Sequence, residues 1–66
     1  MLTSEKAKEI AKKLANSKSV TILVDQNSNL RVKKRKNMIR VEGLNEIDRE
    51  YLIETVQFYL PYLKIK

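Results

Sequence analysis

The chain contains no cysteine and no histidine among its 66 residues, and it has a single glycine. Without cysteine, neither a disulfide nor a thiolate metal site can support the core, and without histidine the commonest metal ligand is absent. The same absences exclude Ser-His-Asp and Cys-His catalytic arrangements, and one glycine cannot form a glycine-rich phosphate loop. We therefore expect a protein that is not an enzyme, with no catalytic residues, no metal and no cofactor.

Long apolar runs are also lacking. No uninterrupted stretch approaches the roughly 20 apolar residues that a membrane span needs, and the first six residues lack the apolar core of a signal peptide. These absences predict a cytoplasmic protein. Hydrophobic residues make up 42% of the chain and charged residues 33%, which is typical of a folded protein. A chain of this length forms one small domain, residues 1–66, that is stable by a narrow margin.

What the chain does have is a concentrated positive charge. Its net charge is +6, from 14 bases and 8 acids. Six of the bases lie between positions 31 and 40, where no acid occurs, so the remaining eight bases and eight acids cancel. A field concentrated in this way attracts polyanions. The six bases are Arg31, Lys33, Lys34, Arg35, Lys36 and Arg40.

Hydrophobic periodicity predicts a helix at each end of the chain. Residues 4–16 carry apolar side chains at i, i+3, i+4 and i+7, which indicates an amphipathic helix that Thr3 or Ser4 can cap. Asn45 is the expected N-cap of a second helix with a wide apolar band, and Pro61 ends or kinks that helix. Residues 61–66 alternate in polarity and fit an extended C-terminal tail or a last helical turn.

Between the helices, a period of two predicts three strands joined by turns at 25–29 and near Asn37, with Gly43 ending the third strand. The apolar residues on one face of this sheet are Val20, Ile22, Val24, Leu30, Val32, Ile39 and Val41. The predicted fold is α+β in the order α-β-β-β-α, a three-stranded antiparallel sheet with both helices on one face. The other sheet face is left to solvent or to a partner.

The six bases then fall on the second hairpin. Arg31, Lys33 and Arg40 are expected on the open sheet face, and Lys34, Arg35 and Lys36 at the hairpin tip. Such a basic ribbon can follow phosphates or enter a groove of duplex DNA. No aromatic residue is expected on the sheet to stack on unpaired bases, which favours duplex DNA over single-stranded RNA. The sequence therefore predicts a small nucleic-acid-binding protein, a class that includes transcription regulators.

Two other interpretations fit the same charges. Lysines on an exposed strand also protect a sheet edge against aggregation. Alternatively, the basic hairpin docks on an acidic protein partner, and the chain is a protein-interaction module.

A homodimer is expected because apolar residues remain on the outer surfaces. Leu23 and Met38 are predicted to point outward from the sheet, where they suit contact with a second copy or, as the alternative, with sugars and bases. Tyr51, Phe58 and Tyr62 are separated by seven and four residues, so on a continuous helix they share a face that suits a dimer seam. These five residues are the candidate dimer contacts.

Overall fold

The computed structural model describes residues 2–66, which leaves Met1 outside the described residues. Within that range, two helices and four strands follow one another along the chain. They are α1 (Ser4–Ala15), β1 (Ser19–Asp25), β2 (Leu30–Arg35), β3 (Met38–Glu42), α2 (Glu46–Tyr59) and β4 (Lys64–Ile65).

Both helices begin at the predicted caps. The Thr3 hydroxyl oxygen accepts a hydrogen bond from the Lys6 N–H at 3.2 Å. The Asn45 side-chain oxygen accepts from the N–H groups of Ile47 and Asp48 at 3.0 and 3.2 Å. Each contact satisfies backbone donors that the first helical turn leaves without a partner.

Helix α2 ends at Tyr59, just before Pro61. Leu60 has left helical geometry, with φ −129° and ψ 68°, because a residue that precedes proline is disfavoured in the helical region. Tyr62 therefore lies beyond the helix, and the prediction that Tyr51, Phe58 and Tyr62 share one helical face is wrong.

The sheet has four strands in the order β1-β2-β3-β4. The three predicted strands pair antiparallel as expected, whereas β4 pairs parallel with β3. The predicted three-stranded sheet was thus one strand short. The fourth strand is held by two backbone hydrogen bonds, from the Lys64 N–H to the Asn37 carbonyl at 2.7 Å and from the Lys66 N–H to the Ile39 carbonyl at 2.8 Å. Buried Leu63 anchors it to the core.

Two turns place a residue other than glycine in left-handed backbone. In the turn between β1 and β2, Asn29 has φ 52°, and Asp25 Oδ1 accepts from the Asn27 N–H at 3.0 Å. In the two-residue turn between β2 and β3, the left-handed residue is Lys36, with φ 57°, whereas Asn37 was the expected turn former. Asparagine tolerates this backbone well and lysine does not, so Lys36 holds a strained position.

The core forms between the sheet and the two helices, which pack on the same sheet face as predicted. All seven predicted inward-facing residues of the sheet are buried in this core or packed against it. Helix α1 adds Ala7, Ile10 and Leu14, and α2 adds Leu52 and Val56. Within residues 2–66, no helix lies on the opposite sheet face, and most of its side chains are exposed.

In residues 2–66, no helix is both long enough and apolar enough to cross a membrane.

Candidate nucleic-acid interface

Nine outward side chains of the first three strands form three rows across the open sheet face. Directly paired residues of neighbouring strands point to the same side. The register therefore aligns Leu23, Arg31 and Glu42 in one row, Thr21, Lys33 and Arg40 in the next, and Ser19, Arg35 and Met38 in the third. The middle of this face is basic because it is formed by the alternate residues of β2.

Five of the six predicted bases meet here. Arg31, Lys33, Arg35 and Arg40 are exposed on the open face, and Lys36 is exposed in the adjacent turn. We call this set, together with Lys66, the basic face.

Lys66 was not among the predicted site residues. It follows β4 and lines, with Lys33, Arg35, Lys36 and Arg40, a shallow depression of about 530 Å³. Lys64, the parallel partner of Met38, is exposed beside it. The alternation of polar and apolar residues from 62 to 66 is typical of a strand and could have indicated β4. It does not indicate which strand of the sheet this segment joins.

Lys34 lies on the other side of the sheet. It was expected at the hairpin tip, but it is the fifth residue of β2, and the alternation of the strand turns its side chain towards the helices. Only 7% of Lys34 is exposed. Its ammonium donates to the carbonyl oxygens of Leu14 and Ser17 at 2.6 and 2.7 Å. Lys34 thus caps the carbonyl end of α1, where a cation is favoured.

One acid, Glu42, lies among the exposed bases. Its carboxylate is 3.3 Å from Lys33 Nζ, 3.8 Å from Arg31 Nε and 4.0 Å from Arg40 Nε. The contact with Lys33 is the largest cause that holds the pKa of Glu42 below its usual value, with smaller contributions from Arg40 and Arg31. Glu42 therefore stays ionised and neutralises part of the field at one end of the basic face.

The candidate dimer contacts separate into three places. Leu23 and Met38 are exposed on the open face, as predicted, beside the bases. Tyr51 and Phe58 are exposed on α2, in the helix layer. Tyr62 lies near the end of α1 and the turn between β2 and β3, where it lines a depression with Ala15 and Asn37. No common surface of one molecule unites all five.

The position of β2 and β3 restricts how the basic face can meet a duplex. These strands are the two central strands of the sheet, so they do not form a free two-stranded ribbon. At a strand spacing of about 4.8 Å, the outer strands are about 14 Å apart, which exceeds the roughly 12 Å width of the DNA major groove. At the end of the sheet where β4 is present, the face is therefore wider than that groove.

The remaining acids suggest no competing site. Within residues 2–66, no three Asp or Glu side chains come close enough together to hold a metal ion. The acids of α2, such as Glu46 and Asp48 in its first turn, complement the helix dipole.

Comparison with known proteins adds no relative: no protein-family model, curated protein or solved structure matches this chain.

Proposed function

We propose that this chain binds duplex nucleic acid, DNA in preference to RNA, by placing its basic face against the phosphate backbone. The observation that carries the proposal is the convergence of Arg31, Lys33, Arg35, Lys36 and Arg40 on one uncovered sheet face, joined there by Lys66. Lys34 is not part of the proposed interface, because its ammonium is buried against α1.

The spacing of the charges suits a regular polyanion. Alternate residues of β2 stand about 6.7 Å apart along the strand, so Arg31, Lys33 and Arg35 form a line of cations that can meet successive phosphates. Arginine can bind a phosphate through two N–H groups, and lysine contributes a compact charge. Contacts of this kind position a protein on the duplex without reading its bases.

A duplex is preferred to a single strand because the described residues place no aromatic side chain on this face for bases to stack on. The four aromatic residues are Tyr51, Phe58, Tyr59 and Tyr62, all within α2 or after it. Sheet proteins that bind single strands use aromatic side chains on the sheet surface as stacking platforms.

The test is a fluorescence anisotropy titration of a 20-bp DNA duplex over a series of salt concentrations. Each neutralised phosphate contributes about −0.9 to the slope of log affinity against log salt. If each of the six bases of the basic face neutralises one phosphate, the slope is about −5.4. Replacing Lys33, Arg35 and Arg40 by Gln should make the slope about 2.7 units shallower.

Helix α1 provides a matched control. Replacing its exposed Lys6, Lys12 and Lys13 by Gln also removes three positive charges, but we expect it to change the slope by less than about 1 unit. Equal effects of the two triple variants would show that net charge, and not the basic face, determines binding. Absence of binding by the unmodified protein at low salt would exclude the proposal.

An acidic protein is the second candidate partner, and the exposure of Leu23 and Met38 on the same face favours it. Polyglutamate is a suitable competitor, because it supplies carboxylates without the phosphate spacing of a duplex. If polyglutamate displaces the duplex at equal charge concentration, the face does not discriminate in favour of phosphates, and the acidic protein becomes the better candidate.

A further inference from the structure

The outer face of α2 carries a stripe of exposed apolar side chains. Ile47, Tyr51 and Phe58 follow one another at i, i+4 and i+11, and they fall on one side of the helix. Exposed Glu54, at i+7, lies at the edge of this row, beside Tyr51 and Phe58. Ile47 is 78% exposed and Phe58 is 79% exposed. Phe58 is held edge-on against Tyr59, with ring centroids 5.1 Å apart. Soluble proteins rarely leave such rows uncovered, and when they do the row marks an interaction site.

The two flanks of this apolar stripe carry opposite charges. On one side lies α1, whose Lys8 and Lys12 adjoin Tyr59 of α2. On the other side, the helical periodicity places three exposed acids of α2 itself, Glu46, Glu50 and Glu54. From one side to the other, the surface is therefore first basic, then apolar and then acidic.

A second copy of the chain fits such a surface. If the two-fold axis runs parallel to α2, the basic flank of each copy faces the acidic flank of its partner, and the apolar stripes meet in the middle. An antiparallel arrangement places like charges together, which is unfavourable. An isologous pair of this kind uses the same patch on both copies and closes without growing further.

The size of the patch sets the expected strength of this association. The molecule has principal extents of 27 × 18 × 17 Å, so the outline of its widest face is roughly 500 Å² and two copies bury at most about 1,000 Å² in total. That area lies at the lower limit for specific interfaces, so we expect a reversible dimer.

The geometry of the domain determines what such a dimer can do. The helices cover one face of the sheet and the basic face is the other, so pairing through the outer side of α2 turns the two basic faces away from each other. We infer that the α2 stripe is the contact for a second copy, and that the resulting dimer holds two duplexes on opposite sides and bridges them. The dimer contact does not depend on the proposed function, whereas the bridging rests on it.

Two measurements on the full chain test this inference. Sedimentation equilibrium measures self-association without nucleic acid. Bridging is measured as retention of a fluorescent 30-bp duplex by beads that carry an unlabelled duplex of the same length. The variant is Ile47→Ser combined with Phe58→Ser; both side chains are exposed, so the fold is preserved. The control is Tyr62→Ser, which removes an exposed aromatic residue outside the stripe.

We expect the unmodified protein and the Tyr62→Ser control to show a monomer–dimer equilibrium and to retain the second duplex. The double variant should be monomeric and lose at least tenfold in bridging, while its affinity for one duplex in solution changes less than twofold. Full bridging by the double variant, or an unmodified protein that is monomeric at all concentrations, would overturn the inference.

Two further outcomes separate the possible causes of failure. The unmodified protein could instead form species larger than dimers that dissociate when free duplex is added. That result would indicate that α2 of one copy contacts the basic face of the next, and it also overturns the inference. If the unmodified protein dimerises through the stripe but binds no single duplex, the proposed function fails and the bridging fails with it, while the dimer contact is confirmed.

Discussion

Lys34 and Arg35 are adjacent bases on β2 with opposite orientations, and this pair gives the sharpest prediction about the fold. Lys34→Met removes the ammonium that donates to the Leu14 and Ser17 carbonyls at 2.6 and 2.7 Å, and it keeps most of the aliphatic chain. Arg35→Met removes an exposed guanidinium. Each variant lowers the net charge by one, so general charge repulsion changes equally in both.

The expected loss of stability for Lys34→Met follows from these two contacts. A hydrogen bond to a charged group contributes about 1.5–3 kcal/mol, and the favourable position of a cation at a helix C-terminus adds roughly 0.3–1 kcal/mol. Methionine avoids the desolvation of the ammonium, which offsets part of this sum. We expect a net loss of about 2 kcal/mol, which lowers the Tm of a domain of this size by about 8–16 °C.

The assay is urea unfolding followed by circular dichroism, at a pH and salt concentration held constant for all variants. Arg35→Met should change the free energy of unfolding by less than about 0.5 kcal/mol, as is usual for surface substitutions. In the duplex titration, Arg35→Met is the variant with the larger effect. It should make the salt slope about 0.9 units shallower, whereas folded Lys34→Met leaves the slope unchanged. Equal stabilities of the two variants would refute the assignment of Lys34 to the end of α1.

Three smaller predictions follow from local geometry. Gly43→Ala should destabilise the fold by about 1–3 kcal/mol in urea unfolding, because a Cβ there would be 3.0 Å from Leu30 Cδ1 and 3.2 Å from Leu30 Cα; unchanged stability would contradict the close approach. Lys36→Gly should raise the free energy of unfolding by about 0.5–1 kcal/mol, since glycine adopts positive φ without strain. A lower free energy of unfolding would contradict the strained backbone at Lys36. Glu42 has a pKa lowered from 4.5 in the folded protein, so its contribution to stability is complete above that value and is lost as the pH falls through the folded pKa. Glu42→Gln should therefore be less stable than the unmodified protein at pH 7 and equally stable near pH 2, and a constant difference would contradict the ion pairs.

The elements that could be predicted from the sequence are those whose signal is local. The period of Ala7, Ile10 and Leu14 determines which face of α1 is buried, and the short polar side chain of Asn45 determines where α2 begins. In the same way, the alternation around Ile22 and Val32 predicts the buried side of the sheet, because a strand turns successive residues to opposite faces.

The features that were missed depend on contacts between distant parts of the chain. β4 has only two residues, and its position is determined by backbone hydrogen bonds to Asn37 and Ile39. The role of Lys34 depends on the end of α1, which is 20 residues away from it along the chain. Strict alternation from Leu30 does place Lys34 inward, but Lys34 was expected at the hairpin tip, whereas β2 continues to Arg35.

An NMR titration of the labelled protein with a 20-bp DNA duplex tests most directly whether the basic face binds the duplex. We expect the largest shifts at the six bases of the basic face, and little change in the side chain of Lys34, in α1 and on the outer side of α2. Largest shifts at Lys6, Lys12 and Lys13 of α1 would contradict it, because the duplex would then be bound by the helix layer and not by the open sheet face.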